Sequence, residues 1–419
     1  MIRFTEHYFH KEQLLTEGGA YGHLIHPFED NELSFANIKK MINDVLRGKM
    51  KVQEEKTDGQ NIMVSWKDGK LIGARNKSHI KNAGQNALDI KGIANMFKGR
   101  GKIQEAFEFA MADLQNALSK LPPETLNETF QNGKKFISFE VMYPATENVI
   151  PYGLSMLIPH EVVEYDESGN PVGRDREPAK QLAQVIKDTN NDVQKRFQIK
   201  VPENVRFKIP KVNQQIADFA AMVDKIKGKM DDNDTIADYK KRKFRKMVRD
   251  KTKEFDYDIP KDMLEKLSNR LALDDKSLKM SQIKKQVDNE EFFNWYKNFE
   301  SAELKAMYKQ VIRPLEILFL KLGVVILKNI QNFLSANTDE SAQKILQRLN
   351  DKIKEIESAS DMEAKKKLAY ELQRLNDIGG IEDIVPSEGI VFMYNGQLYK
   401  LTGKFSPLNS ILGMGRYGR

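Results

Sequence analysis

The chain has 419 residues, 40% of them apolar, so it can bury a sizeable core, and two or three domains are the expectation for that length. It contains no cysteine, which excludes disulfides, thiolate chemistry and cysteine-bound zinc. Its 67 basic residues outnumber 60 acidic ones, a net charge of +7 that leans towards an anionic partner, nucleic acid being the commonest.

The N-terminal stretch MIRFTEHYFHKEQ has no apolar run of the kind a signal peptide needs, so a cytoplasmic (intracellular) protein is expected. TEGGAYGHLIHPFED, residues 16–30, carries Gly18, Gly19, Gly22, His23 and His26. It reads as a phosphate or metal cradle, as a plain loop with two ordinary histidines, or as a cover over a ligand site. Residues 1–50 are taken as a segment that packs on the core.

From residue 51 to about 176 the texture is that of short strands with turn signals. VQEEKTDGQNIMVSW, residues 52–66, sets Lys56 at a strand end among Glu54, Glu55 and Asp58. Such a lysine is a surface ion pair or a nucleophile. As a nucleophile it must shed its proton, which the neighbouring carboxylates oppose and a divalent cation would favour. Asp68-Gly69 marks a two-residue hairpin turn. It pairs Trp66 with Leu71 and Ile62 with Arg75, and Arg75 is thereby expected near Lys56 and Gly59, where a guanidinium could clamp phosphate or ribose oxygens. One helix is expected from about Gly92 to Leu121, ended by Pro122-Pro123, then a strand from Lys135 to Met142 and a strand pair around Asp166 to Asn170. The strand KFISFEVMYP holds Glu140 among apolar neighbours, so that carboxylate needs a partner, either backbone or ligand.

Residues 177–377 read as a helical insertion. Leu346, Leu349, Ile353 and Ile356 form one stripe at helical spacing. The apolar stretch Val311 to Leu334 is interrupted by Arg313, Pro314, Glu316, Lys321 and Lys328, which predicts a buried helix rather than a membrane span. YKKRKFRKMVRDKTK, residues 239–253, is either a solvated helix face or a contact for a nucleic-acid backbone, here RNA or a nicked duplex. Over residues 378–419 the β texture returns, with Asn395-Gly396 between two strands. Glu388 opens the first, and Lys400 and Lys404 follow the turn. A strict two-residue turn sets Glu388 and Lys400 on opposite faces, so a bulge or longer loop is expected between them.

In this order the residues resemble the covalent nucleotidyltransferase superfamily of ATP-dependent DNA and RNA ligases and mRNA capping enzymes. Lys56-Thr57-Asp58-Gly59 matches its K-x-D-G motif, Arg75 its next arginine, Glu140 its third motif, and Glu388-Gly389-Ile390-Val391 its fourth. Lys400 and Lys404 stand for the lysines of the fifth, and Asn61 falls at a spacing seen in many RNA ligases. The resemblance covers about a third of the chain. It implies an α/β (α+β) nucleotidyltransferase core of antiparallel sheets, here split by the helical insertion. It implies ATP and Mg²⁺ (or Mn²⁺), with Lys56 attacking the α-phosphate and Lys400 and Lys404 holding phosphate oxygens. Glu55 would help read the base, Asp58, Gly59, Asn61, Arg75 and Glu140 would line the nucleotide site, and Glu388 with Asp58 would orient the metal's ligands. The family places an aromatic ring for the base about twenty residues after Glu140, where LSMLIPHEVVEY holds no convincing aromatic before Tyr165. An RNA ligase is the reading. A DNA ligase, a transferase acting on another acceptor, and an inactive nucleic-acid-binding protein stay open.

Overall fold

The computed structural model describes residues 24–146, 149–189, 196–331, 333 and 338–414. Helix α1 (Phe35–Leu46) leads into strands β1 (Gln53–Lys56), β2 (Gln60–Lys67) and β3 (Lys70–Ala74). Helices α2 (Lys77–Gly84), α3 (Ile90–Met96), α4 (Lys102–Leu118) and α5 (Pro123–Phe130) follow, then β4 (Lys135–Met142), β5 (Met156–Tyr165) and β6 (Pro171–Asp175). Next come α6 (Glu177–Thr189), β7 (Gln198–Ile199), α7 (Val212–Lys227), α8 (Ile236–Glu254), α9 (Lys261–Leu273) and α10 (Met280–Gln286). The chain then runs through α11 (Glu290–Asn298), α12 (Leu304–Leu327), α13 (Thr338–Ser358) and α14 (Met362–Asp377) to β8 (Gly389–Tyr394), β9 (Gln397–Leu401) and α15 (Phe405–Leu412).

The strands make two sheets, and the class is α+β as expected. The larger has the order β3-β2-β4-β5-β6 with the short β7 running parallel beside β5; the smaller has the order β1-β8-β9. Asp68 and Gly69 take φ of 49° and 74°, the two positive values a tight hairpin turn requires, and Trp66 pairs with Leu71. Asn395 and Gly396 do the same at 49° and 80° between β8 and β9. The helix expected from Gly92 to Leu121 is two helices, α3 and α4. Gly99 and Gly101 lie between them at φ of 82° and 55°, which a continuous helix cannot hold.

Each sheet has its own apolar backing. Ile62, Val64, Ile137 and Phe139 of the larger sheet pack on Phe107, Met111 and Leu114 of α4. Ile390, Phe392, Tyr399 and Leu401 of the smaller pack on α12 through Leu315, Phe319 and Leu322, and on α1 through Ile38 and Ile42. Each such side chain contributes roughly 1.5–3 kcal/mol on burial. No described helix is long and apolar enough to cross a membrane. The stretch after residue 177 is not wholly helical. Residues 198–205 run from β7 to β1, where the Val205 N–H donates to the Gln53 carbonyl at 2.7 Å, so this segment ties the two sheets together.

Candidate functional site

The two sheets close on one cavity of about 650 Å³, a size that suits a small-molecule ligand. From the smaller sheet, β1 delivers Lys56, paired with Gly389. Gly389 has φ of 151°, and a Cβ there would lie 2.1 Å from the Leu401 carbonyl oxygen. Only glycine permits that pass. The break turns Glu388 into the cavity, where its Oε1 lies 2.6 Å from Lys56 Nζ. Lys400 reaches the same cavity from β9, opposite Val391. The bulge or longer loop expected in the hairpin is therefore absent. The turn keeps two residues, and the change of face falls at Gly389 instead.

Between β1 and β2 the chain crosses from one sheet to the other. Glu140 Oε1 accepts the Gly59 N–H at 2.6 Å, and its Oε2 accepts the Thr57 hydroxyl and lies 2.9 Å from His160 Nε2. A Cβ on Gly59 would come within 2.6 Å of Glu140 Cγ and 2.9 Å of the Val141 carbonyl, so glycine is required here by proximity. Asp58 Oδ2 accepts the N–H groups of Val149 and Ile150 at 2.7 and 3.0 Å, and the Asp58 N–H donates to the Tyr152 hydroxyl at 3.2 Å. Asn61 Nδ2 donates to Ser138 Oγ at 2.5 Å. The loop bearing Lys56 is thus fixed by a net of satisfied buried groups.

The charges decide what this cavity lacks. Burial disfavours the Lys56 ammonium, but Glu388, Glu140 and Asp58 outweigh it and hold the group above its ordinary value. Burial lifts the Glu388 carboxyl to about 7, helped by Asp58 and Glu140 and opposed by Lys56. Burial would also lift Glu140, but His160, Lys56 and Thr57 keep it below its usual range. Lys400 is pushed down, first by burial and then by Lys56. The cavity is lined by six carboxylates, Glu54, Glu55, Asp58, Glu140, Glu203 and Glu388, against the four cations Lys56, Arg176, Lys200 and Lys400, so it is short of positive charge. Among the described residues no trio of acidic or histidine side chains forms a ready metal cage.

Eight of the ten residues expected at the site line this cavity: Glu55, Lys56, Asp58, Gly59, Asn61, Glu140, Glu388 and Lys400. The surface ion pair between Lys56 and Glu54 does not form, because Glu54 is bound by Arg176 and by Lys180 at 3.1 Å. Arg75 is not brought in. In the hairpin register it falls level with Ile62, whose face of the sheet is covered by α4, and its guanidinium lies over Phe107 and Phe97 at 5.1 and 5.6 Å. Lys404 is not brought in either. It opens α15, and its ammonium donates to the backbone carbonyls of Glu382 and, at 3.3 Å, Gly379. Of the glycine-histidine segment, Gly18, Gly19, Gly22 and His23 lie outside the described residues. His26 is buried and stacks on Phe28, and burial, Lys400, Arg374 and Lys56 hold its imidazole far below the usual value.

No family model, curated protein or solved structure matches the chain. The site therefore rests on its own geometry, which adds residues that sequence reasoning missed. His160 is one: it lines the cavity twenty residues after Glu140, whereas Tyr165 packs on Phe136 away from the cavity. Imidazole is a weaker signal in an apolar strand than a tyrosine or phenylalanine, though its distance from Glu140 could have found it. Lys200, Glu203 and Arg176 also line the cavity, and nothing in their local sequence marks them.

Proposed function

We propose that the chain is an ATP-dependent nucleotidyltransferase of the polynucleotide-ligase kind, with RNA as the favoured strand, working through a lysyl-AMP on Lys56. The observation that carries this reading is the pairing of Lys56 with Glu388 beside Lys400 in a cavity of nucleotide size. In the first step the Lys56 amine forms a P–N bond to the α-phosphorus, the bond from that phosphorus to the bridging oxygen breaks, and pyrophosphate leaves. The amine must first lose a proton. Glu388, 2.6 Å away, opposes that loss while its charge is free, and would cease to oppose it once the carboxylate is taken up by a divalent ion. Lys400 neutralises charge on the phosphate oxygens, and Glu140 holds the loop of Lys56 and faces the ribose. The His160 ring supplies a flat surface for the base.

In the second step an oxygen of a 5′-phosphate takes the AMP and the P–N bond breaks. A 3′-hydroxyl then forms the phosphodiester and AMP departs. The donor set suits Mg²⁺ or Mn²⁺. Two carboxylates, Glu388 and Asp58, with oxygens from the substrate's own phosphates, are the kind of partial set a hard divalent ion takes. Such an ion, when bound, supplies the missing positive charge. Nucleic acid would dock in part through the exposed cations of α8.

The test is intact mass after incubation with ATP and Mg²⁺. Wild type gains one AMP and Lys56→Ala gains none. No gain with either ATP or GTP would overturn the reading.

A further inference from the structure

Lys404 is engaged by two backbone carbonyls, so of the two lysines that follow the β8–β9 turn Lys400 is the one that lines the cavity. A triphosphate carries more charge than Lys56 and Lys400 balance, and its outer phosphates have no side-chain cation assigned. The structure offers one from a stretch outside the resemblance. Asn61 pairs with Glu140 across β2 and β4, and Glu140 pairs with Ile158 across β4 and β5. Ile199 of β7 pairs with Leu157, and the next N–H, that of Lys200, donates to the Leu157 carbonyl at 3.0 Å. Lys200 therefore extends the row Asn61, Glu140, Ile158 by one strand, and all four line the cavity. At ordinary strand spacing its Cα is about 10 Å from that of Glu140.

The backbone that carries Lys200 is held at both ends. Behind it is β7, and ahead of it Val205 and Asn204 bond to Gln53 of β1, at 2.7 and 3.0 Å. Val201, Pro202 and Glu203 between them form the wall of the cavity. The Lys200 side chain is exposed and makes no ion pair among the described residues. The other cation on this wall, Arg176, is committed to Glu54. An uncommitted ammonium on a fixed strand at a cavity edge is a phosphate ligand in waiting.

We infer that Lys200 binds the β- and γ-phosphates of the nucleotide and holds the departing pyrophosphate. This rests on the nucleotidyltransferase reading above. It can fail alone, because that reading is decided by the adduct on Lys56. The measurement is calorimetric affinity for AMP and for the α,β-methylene analogue of ATP, which cannot load Lys56, each with Mg²⁺. For Lys200→Ala the analogue should bind about tenfold more weakly, with AMP unchanged, and Lys200→Arg should recover most of the loss. Equal weakening of both ligands, or of neither, overturns the assignment. So does a loss confined to a 5′-phosphorylated oligonucleotide, which would place Lys200 on the acceptor's phosphate. If wild type binds neither nucleotide, this inference falls together with the function it rests on. Lys200 is exposed, so the alanine variant keeps the fold and the comparison stays clean.

Discussion

At the scale of single residues, Lys56 is held protonated by its surroundings, and that state can be changed. Replacing Glu388 by glutamine removes the carboxylate 2.6 Å away and the largest influence keeping the ammonium charged. Labelling of Lys56 by an amine reagent, followed against pH, should shift its midpoint to lower pH in Glu388→Gln, because less alkali is then needed to free the amine. A midpoint that stays put or rises would show that Glu388 does not govern this lysine. Gly389→Ala should do harm by another route. The new methyl meets the Leu401 carbonyl at 2.1 Å in a backbone region closed to alanine, so a loss of about 3 kcal/mol or more is expected by chemical denaturation, with the Lys56 adduct lost. These residues were legible because Lys56, Gly59, Glu140 and Glu388 stand at strand ends or in strands that turn signals delimit. Arg75 was misplaced although its register was read correctly. Alternation along β3 gives it the face covered by α4, and sequence spacing says nothing of which face holds the ligand. Lys200 was illegible because a strand of two residues has no period to read.

At the scale of elements, α8 shows how a run of cations divides. Thr235 and Asp238 cap its start reciprocally, which fixes where its faces fall. Arg242, Lys246, Arg249 and Lys253 are exposed and recur at steps of four, three and four, so they share one face over roughly 16 Å. Lys240 lies on the opposite side, buried, donating to Asn31 Oδ1 at 2.8 Å and to the Tyr308 hydroxyl. It was counted with the nucleic-acid contacts from the sequence alone, and burial withdraws it. Changing Arg242, Arg249 and Lys253 to alanine should weaken binding of an oligonucleotide duplex and flatten its log-log salt dependence by roughly 2–3. An unchanged slope would mean that this face is only solvated. Lys240 should instead report on folding. Burial lowers its pKa to about 8, against the pull of Glu29 and Asp30. Between about 8 and the ordinary lysine value the unfolded chain binds the extra proton, so stability rises with pH over that window and the contribution is absent below it. Relative to Lys240→Met, wild type should gain on the order of 3 kcal/mol across the window in urea titrations, and a flat difference would refute the assignment. The stripe of α13 was legible in part: Leu349 and Ile356 are buried, Leu346 and Ile353 pack half-buried against the same core, and Ile345, outside the predicted stripe, is buried with them.

At the scale of the molecule, the two sheets have separate apolar backings, and polar links join them around the cavity: Glu54 with Arg176 and Lys180, Gly59 with Glu140, and residues 204 and 205 with β1. A ligand spanning both walls should therefore stabilise the whole chain. At a hundredfold excess over Kd the linkage is worth about 2.7 kcal/mol, visible as an upward shift in Tm with ATP and Mg²⁺ that Lys56→Ala retains. A Tm indifferent to millimolar ATP in both proteins would mean the cavity takes no nucleotide.

The pairing of Lys56 with Gly389 also sets a timetable. During synthesis β1 leaves the ribosome long before β8 exists, so its hydrogen-bonding edge waits unpaired while the helices between them emerge. Lys56 and the carboxylate it pairs with, Glu388, are kept apart until β8 arrives. A chain stalled before β8 would carry Lys56 yet lack both Glu388 and Lys400, and so could not be charged. On the proposed function, loading of Lys56 would therefore wait for β8 and β9.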